Sequence, residues 1–185
     1  MVVGLLICLT GIGCEVPHAE WLRDRLAEKF GARVMLIKGV GLESALLDTC
    51  RMQYRADGFL DLLARMRVHC DKLIGITEED MFVPDLNYVF GLSSTGGREC
   101  VVSTARLRPD AYGRAKGDDI FRERLLKEAM HELGHSMGLV HCENACVMRF
   151  SNSISDVDAK PAKFCWECGE RLAKRGAPEG LSNKS

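Results

Sequence analysis

Three histidines and one glutamate lie close together in the string HELGHSMGLVH, which spans residues 131–141. His131 and His135 are four residues apart, so on a helix both imidazoles lie on one face and can bind a single zinc ion. Glu132 projects from a neighbouring part of the helix, where it can reach a water molecule on that ion rather than the ion itself. The spacing therefore predicts a catalytic zinc with Glu132 as its general base.

A third zinc ligand is available if the chain turns sharply after this helix. Gly138 stands three residues after His135, and glycine tolerates the left-handed backbone conformation that ends a helix. The chain can then turn back and bring His141 to the ion. Three protein ligands leave the fourth position of a tetrahedral zinc open for water, which distinguishes a catalytic from a structural site.

The chemistry of such a site is hydrolysis of an amide. Zinc lowers the pKa of its bound water, Glu132 accepts the proton, and the hydroxide attacks a carbonyl carbon before the proton passes to the leaving amine. The predicted function is therefore a zinc-dependent peptidase that acts on peptide or protein substrates. Two other interpretations stay open: an amphipathic helix that merely exposes polar residues, and a non-catalytic zinc module that binds a partner.

Four of the nine cysteines are bunched behind the histidines as two close pairs. They are Cys142, Cys146, Cys165 and Cys168. Each pair can chelate an ion, and four thiolates complete a closed tetrahedral zinc site. A structural zinc would also supply folding free energy to a C-terminal segment too short to bury much apolar surface alone. We expect two zinc ions per chain, with two disulfides or independently buried thiols as the alternatives.

Residues around the two predicted zinc sites resemble the archaemetzincins, a family of metzincin-type zinc metallopeptidases. The resemblance rests on HExxHxxGxxH, the cysteines behind it, the Cys146-x-Met148 element and the final Cys-x-x-Cys, and it covers residues 131–168. It implies a metzincin-like fold in which Met148 forms the Met-turn, an apolar floor under the zinc histidines. Without the resemblance, Met148 would be interpreted as an ordinary core residue.

The resemblance also implies where a substrate binds. A strand near residues 88–92 would form the upper rim of the cleft and hold an extended peptide by strand addition. The residues expected to contact that peptide are Tyr88, Val89, Phe90 and Gly91. A further interpretation remains, in which the metzincin scaffold has latent or very narrow activity.

Hydrophobic patterning predicts the elements that position these residues. The predicted strands are Val2–Leu9, Arg33–Ile37, Lys72–Thr77, Leu86–Leu92 and Cys100–Ala105, and the predicted helices are Ala19–Phe30, Ser44–Met66 and Ile120–Gly138. Helices between the first three strands imply right-handed crossovers and a mainly parallel sheet. A short turn with two glycines joins the last two strands, so one of them is antiparallel at an edge. The fold class is thus α/β with a mixed, mainly parallel five-stranded sheet.

We expect three parts along the chain. Residues 1–138 form an N-terminal lobe with the sheet and the active-site helix, residues 139–173 form a small zinc-stapled lobe, and residues 174–185 form a flexible tail.

Composition limits the partners and the location. The 185 residues include 25 basic and 26 acidic side chains, so nothing indicates binding to nucleic acid or to an anionic membrane. The apolar N-terminal run lacks the preceding basic residues of an export signal. We expect a cytoplasmic monomer. The remaining cysteines should be inert buried thiols; they are Cys8, Cys14, Cys50, Cys70 and Cys100.

Overall fold

The main sheet has five strands, as the sequence predicts. The computed structural model describes residues 4–113 and 117–174, and within them the strands of this sheet are β1 (Leu6–Ile12), β2 (Arg33–Leu36), β5 (Lys72–Thr77), β7 (Gly91–Ser93) and β8 (Glu99–Ser103). Their order is β2-β1-β5-β8-β7. All neighbours are parallel except β7 and β8, so the antiparallel pair at one edge is confirmed.

Strand β1 is buried on both faces, as its apolar sequence predicts, but it lies further along the chain than Val2–Leu9. It continues through Ile12 because Thr10, Gly11 and Ile12 all pair with β5. Residues 1–3 lie outside the described part of the chain.

The predicted helix over Ser44–Met66 is wrong in its first half. Ser44–Leu46 is a single 3-10 turn, β3 (Leu47–Asp48) and β4 (Gln53–Arg55) follow, and α2 covers only Ala56–Ala64. The Asp48 carboxylate accepts hydrogen bonds from the backbone N–H groups of Cys50 and Arg51, at 2.9 and 3.0 Å. Such a local bond stabilises a turn in place of a helix. A second small sheet results, because β4 also pairs with β6 (Met81–Phe82).

The predicted strand Leu86–Leu92 is also shorter than expected, since β7 begins only at Gly91. The carbonyl oxygens of Leu86 and Asn87 both accept hydrogen bonds from the Arg51 guanidinium at 3.0 Å, rather than from a neighbouring strand. Val89 forms one isolated bridge with Met81. Arg51, which lies between β3 and β4, therefore shapes the segment that precedes the edge strand.

Helices pack on both faces of the main sheet. On one face lie α1 (Ala19–Phe30) and α3 (Asp118–Ser136), and on the other lies α2. Apolar residues spaced four apart along α3 are buried in the core on the sheet; they are Phe121, Leu125, Ala129 and Leu133. The C-terminal segment, with α4 (Ile154–Ala159) and α5 (Trp166–Lys174), covers further sides of α3. The site helix is consequently buried almost all round.

Two ion pairs attach α4 and the residue after it to α3. The Arg124 guanidinium binds the Asp158 carboxylate through two contacts of 2.7 Å. Lys160 Nζ lies 2.8 Å from Glu128 Oε1, and both side chains are about as buried as apolar core residues. These contacts hold the C-terminal segment at a defined position beside the histidines.

Among the described residues, no helix is both long and apolar enough to cross a membrane. The predicted tail lies outside the described residues apart from Lys174, which ends α5.

Candidate active site

The structure brings the three predicted histidines together. His131 and His135 lie in the last turns of α3, and His141 follows the helix in an extended segment. One ligand atom from each imidazole lies within 4.8 Å of the other two, and the Nε2 atoms of His131 and His135 are 3.0 Å apart. That separation is close to the spacing between two ligands of one tetrahedral zinc.

Gly138 makes this convergence possible. Its φ of 83° is in the left-handed region, and its N–H donates to the carbonyl oxygen of His135 at 2.8 Å. The N–H of Leu139 donates to the carbonyl oxygen of Gly134 at 2.9 Å, which closes the helix end. The predicted glycine turn is therefore present, and it directs the chain back toward the helix.

Backbone carbonyls orient two of the imidazoles. His131 Nδ1 lies 2.9 Å from the carbonyl oxygen of Val147, and His135 Nδ1 lies 2.8 Å from that of Leu139. With Nδ1–H donated to a carbonyl, each Nε2 keeps a lone pair for a metal. Burial is the largest cause that lowers the pKa of all three imidazoles, His141 included, so the neutral, metal-binding form is favoured.

Glu132 is buried beside this cluster, with only 5% of its surface exposed. Burial is the largest cause that raises its pKa well above the ordinary value; Glu128 raises it further, and Lys160 acts in the opposite direction. Gly91 of the edge strand lies directly against the carboxylate side chain. Because His131 and Glu132 are both buried, the interpretation of α3 as a helix that exposes its polar face is wrong.

Met148 packs against the helix that carries the histidines. It is fully buried, and its Sδ atom would stand 2.4 Å from a Cβ added at Gly134, between the two helical histidines. The glycine of the HELGH string thus lets the methionine approach the helix backbone. The methionine implied as an apolar floor is therefore in contact with the histidine helix.

The four bunched cysteines also converge. Their sulfur atoms lie within 4.8 Å of one another, and those of Cys142 and Cys165 are 3.7 Å apart. Burial opposes ionisation of Cys165, but hydrogen bonds from the backbone of Cys168 and from Asn144 outweigh it and lower the pKa to about 7. All nine cysteines are free in the described part of the chain, which does not support the disulfide alternative. Four neighbouring sulfurs, one readily ionised, fit a tetrahedral zinc.

Comparison with known proteins decides the family. The family model for Peptidase family M54 matches residues 27–174, which is most of the chain. This chain belongs to peptidase family M54. It is a zinc metallopeptidase, and the three-histidine and four-cysteine clusters are two groups of side chains that could bind two zinc ions.

Individual relatives agree with this assignment. The M54 chain is 38% identical over 178 residues to an archaemetzincin from Methanocaldococcus jannaschii, covering 95% of this chain and 97% of that protein. It is 43% identical over 167 residues to an archaemetzincin from Thermococcus kodakarensis, covering 84% and 90%. The crystal structure of the Methanopyrus kandleri archaemetzincin superposes with a TM-score of 0.83 at 35% identity, covering 93% and 95%. The expected metzincin-like fold is confirmed.

The M54 cleft runs past the histidines and has a volume of about 610 Å³. All four residues predicted to bind substrate line it, as do Glu132 and the three histidines. Tyr88 spans the cleft, because its hydroxyl donates to the carbonyl oxygen of Asn152 at 2.8 Å. Phe90 packs edge-on against Tyr88, with ring centroids 5.4 Å apart. The upper rim is thus tied to the segment after Met148.

Several residues of this chain that line the cleft were not predicted from the sequence. They are Glu128, Phe150, Ser151 and Asn152. Phe150 is 55% exposed, and its ring centroid lies 5.1 Å from that of His141. Glu128 precedes Glu132 by one helical turn, and that spacing was a signal available in the sequence. Phe150, Ser151 and Asn152 had no such signal, since their position depends on the fold of the C-terminal segment.

The expectation that the other five cysteines are buried is wrong for three of them. Cys8 and Cys100 are buried, Cys14 and Cys70 are partly exposed, and Cys50 is exposed in the turn held by Asp48.

Proposed function

We propose that His131, His135 and His141 hold the catalytic zinc of this M54 peptidase and that Glu132 is the general base of peptide-bond hydrolysis. The observation that carries this proposal is the buried Glu132 side chain beside three converging imidazoles, all of them lining one cleft. A purely structural zinc site has no use for a base beside it, which argues against the non-catalytic zinc module.

When bound at the three imidazoles, zinc supplies Lewis acidity that activates water and polarises the substrate carbonyl. Glu132 accepts a proton from the attacking water and then delivers it to the nitrogen of the leaving amine, so the carboxylate is restored after each turnover. Gly91 keeps the space beside the carboxylate free of a side chain. Burial restricts the carboxylate to one position, which is the condition for efficient proton transfer.

The substrate is proposed to bind as an extended strand along the rim formed by Tyr88, Val89, Phe90 and Gly91. Strand β7 is the edge of the five-stranded sheet, with β8 on its other side. The neighbouring rim residues line the cleft above the histidines. A peptide laid there would place its carbonyl between the histidine cluster and Glu132. A complex with a peptide-like inhibitor that lacks main-chain pairing to residues 87–93 would contradict this arrangement.

The four cysteines are proposed to hold a structural zinc, with Met148 as the floor beneath the catalytic histidines. The N–H groups of Met148 and Cys165 point to Cys146 Sγ, at 3.5 and 3.2 Å. Backbone donors to sulfur stabilise a thiolate and are common around zinc–cysteine sites. This zinc would connect the segment that carries Met148 to α5.

A second candidate function is a peptidase of latent or very narrow activity. The hydrogen bond from Tyr88 to Asn152 favours it, because the bond joins the two rims across the path of a substrate. A long peptide could enter only after this contact opens.

We further propose two lobes, residues 1–138 and 139–173, on the two sides of the cleft, since the lining residues come from both. A cytoplasmic monomer without nucleic-acid or membrane partners remains our proposal. The nearly balanced charge and the unpaired thiols of the four-cysteine cluster support it.

The test of the proposed roles is the variant Glu132→Gln, which preserves shape and removes the base. We expect two zinc equivalents per chain in both proteins, measured by elemental analysis. Peptide cleavage by the variant should fall at least about a hundredfold. Full cleavage by Glu132→Gln, or one zinc equivalent in the unmutated protein, would contradict the assignment.

A further inference from the structure

The charged residues that line the cleft are all acidic. Besides the three histidines, the lining residues with an ionisable acidic side chain are Asp85, Glu128 and Glu132. No lysine or arginine lines the cleft within residues 4–113 and 117–174. The protein as a whole is almost neutral, so this segregation is local to the site.

Glu128 occupies a particular place in this lining. It lies one helical turn before Glu132, and only 3% of its surface is exposed. Its Oε1 atom is 2.8 Å from Lys160 Nζ, and neither atom has a hydrogen-bond partner beyond that ion pair in the described residues. Glu128 lines the cleft, whereas Lys160 does not.

A second polar group that lines the cleft also lacks a hydrogen-bond partner. The hydroxyl oxygen of Ser151 is buried and makes no hydrogen bond among the described residues, although Ser151 lines the cleft. Buried polar atoms are normally paired, since an unpaired one costs free energy. In a substrate cleft, a carboxylate with one partner and a hydroxyl with none are suited to a ligand that donates hydrogen bonds.

The order of residues along α3 indicates which part of a substrate reaches this wall. Glu128 and Glu132 are four residues apart on α3, so their carboxylates lie on the same face of the helix. Because Glu132 delivers a proton to the leaving amine, the residue that supplies this amine lies on its side of the ion. The side chain of that residue is the one that can extend toward Glu128 and Ser151.

We propose that Glu128, backed by Lys160, selects substrates with lysine or arginine at the residue that supplies the leaving amine. This inference rests on the proposed catalytic roles. A lysine or arginine side chain donates hydrogen bonds to the carboxylate and to Ser151. An acidic side chain would enter a cleft lined by the Glu128 and Asp85 carboxylates, and an apolar one would leave the buried polar atoms of the lining without partners.

The ion pair with Lys160 does not cancel this preference. Lys160 balances the Glu128 carboxylate, whereas Asp85 also lines the cleft and no lysine or arginine of the described residues does. The ammonium also gives the buried Glu128 side chain a partner of opposite charge. A substrate cation would approach the carboxylate from the cleft, on the side away from Lys160.

The test uses a set of peptides that differ only at the residue supplying the leaving amine, which is lysine, arginine, leucine or glutamate. Cleavage by the zinc-loaded protein is measured as kcat/KM for each peptide. We expect the lysine and arginine peptides to exceed the leucine and glutamate peptides by about tenfold or more. The variant Glu128→Gln should lose most of that ratio, whereas Glu123→Gln, an exposed control on the same helix, should keep it.

Binding measured separately distinguishes this inference from the proposed mechanism. The same peptides are titrated into zinc-loaded Glu132→Gln, and Kd is determined by calorimetry. Selective binding combined with no cleavage by the unmutated protein would support the role of Glu128 and refute the catalytic proposal. Equal Kd values for the four peptides would refute the role of Glu128 even if all of them are cleaved.

Glu128→Gln leaves Lys160 buried without a counter-ion and could fail to fold. The exchanged pair Glu128→Lys with Lys160→Glu keeps both charges and reverses which one faces the cleft. Selectivity should then shift toward the glutamate peptide. A pair that functions only as a structural bridge would retain the original order of the four peptides, and that result would overturn the proposal.

Discussion

Gly91 of the edge strand lies against the side chain of Glu132: a Cβ at position 91 would stand 2.5 Å from Cγ and 2.6 Å from Oε1 of the glutamate. A Cβ atom does not approach a non-bonded atom so closely. The sheet edge and the carboxylate can therefore lie side by side only because position 91 has no side chain. The position of the proposed base therefore depends on a glycine in the rim that is proposed to bind substrate.

The variant Gly91→Ala tests this relationship. The new methyl group should displace the Glu132 carboxylate and reduce kcat by about a hundredfold, because small misplacements of a catalytic group are costly. Overpacking should also lower the free energy of unfolding by about 1–3 kcal/mol. Gly41→Ala is the matched control, since no atom lies within 4 Å of a Cβ there. Unchanged kcat in a folded Gly91→Ala protein would show that the carboxylate has room to move.

The variant Tyr88→Phe removes the hydroxyl that joins the two rims of the cleft. If this contact limits entry, cleavage of long peptides should increase several-fold while the stability falls by about 1 kcal/mol. Tyr112→Phe is the control, because that hydroxyl donates to the carbonyl oxygen of Arg106. The comparison is made by kcat/KM for short and long peptides. An equal or lower rate for Tyr88→Phe would exclude a restraining role of the bridge.

The variant Cys168→Ser tests the second metal site. Loss of one of four thiolates should reduce the zinc content from two equivalents to one and lower Tm, because structural zinc contributes folding free energy. A strong chelator should destabilise the unmutated protein in the same way. Cys50→Ser, which alters an exposed thiol in a turn, should change neither quantity. Two zinc equivalents in Cys168→Ser would place the second ion elsewhere.

The ion pair between Asp80 and Arg106 predicts a pH dependence of stability. Burial opposes ionisation of Asp80, but hydrogen bonds from Arg106 and Gln53 outweigh it and hold the pKa of the carboxyl below its ordinary value. The folded state therefore binds fewer protons than the unfolded state. The contribution of the ionised Asp80 to the free energy of unfolding is fully present above the unfolded pKa of about 3.9. It is lost as the pH falls through the folded pKa.

Asp80→Asn should accordingly lower stability at neutral pH and make the acid limb of the stability curve shallower, measured by urea unfolding between pH 3 and pH 7. The Arg106 guanidinium also lies 4.1 Å from the centroid of the Tyr88 ring, so loss of the pair should loosen the upper rim. Asp24→Asn, which removes an exposed pair with Arg23, is the control. Parallel curves for Asp80→Asn and the unmutated protein would contradict the assignment.

Much of the site could be predicted because its parts are local in the chain. His131 and His135 share a helix face whatever surrounds the helix, and Gly138 supplies the one backbone conformation that returns His141 to them. The paired cysteines carry the same kind of short-range signal. Alternation of strands and helices likewise predicts the mainly parallel sheet, since the crossover rule restricts the possible topologies.

Tertiary structure decided the features that depend on residues distant in sequence. Arg51 and Gln53 hold the segment before Gly91 away from regular strand pairing. The Asp48 turn takes the place of the first half of the predicted long helix. Patterns of hydrophobicity do not reveal such side-chain-to-backbone bonds.

The cleft itself depends on the same kind of contact. Glu128 and Lys160 are 32 residues apart, and Tyr88 and Asn152 are 64 apart, so neither pairing can be read from local spacing. The sequence by itself determined which atoms can bind zinc and which carboxylate can act beside it. Only the packing of the C-terminal segment on α3 decided the walls of the cleft and their charge, because those walls form from surfaces that meet after folding.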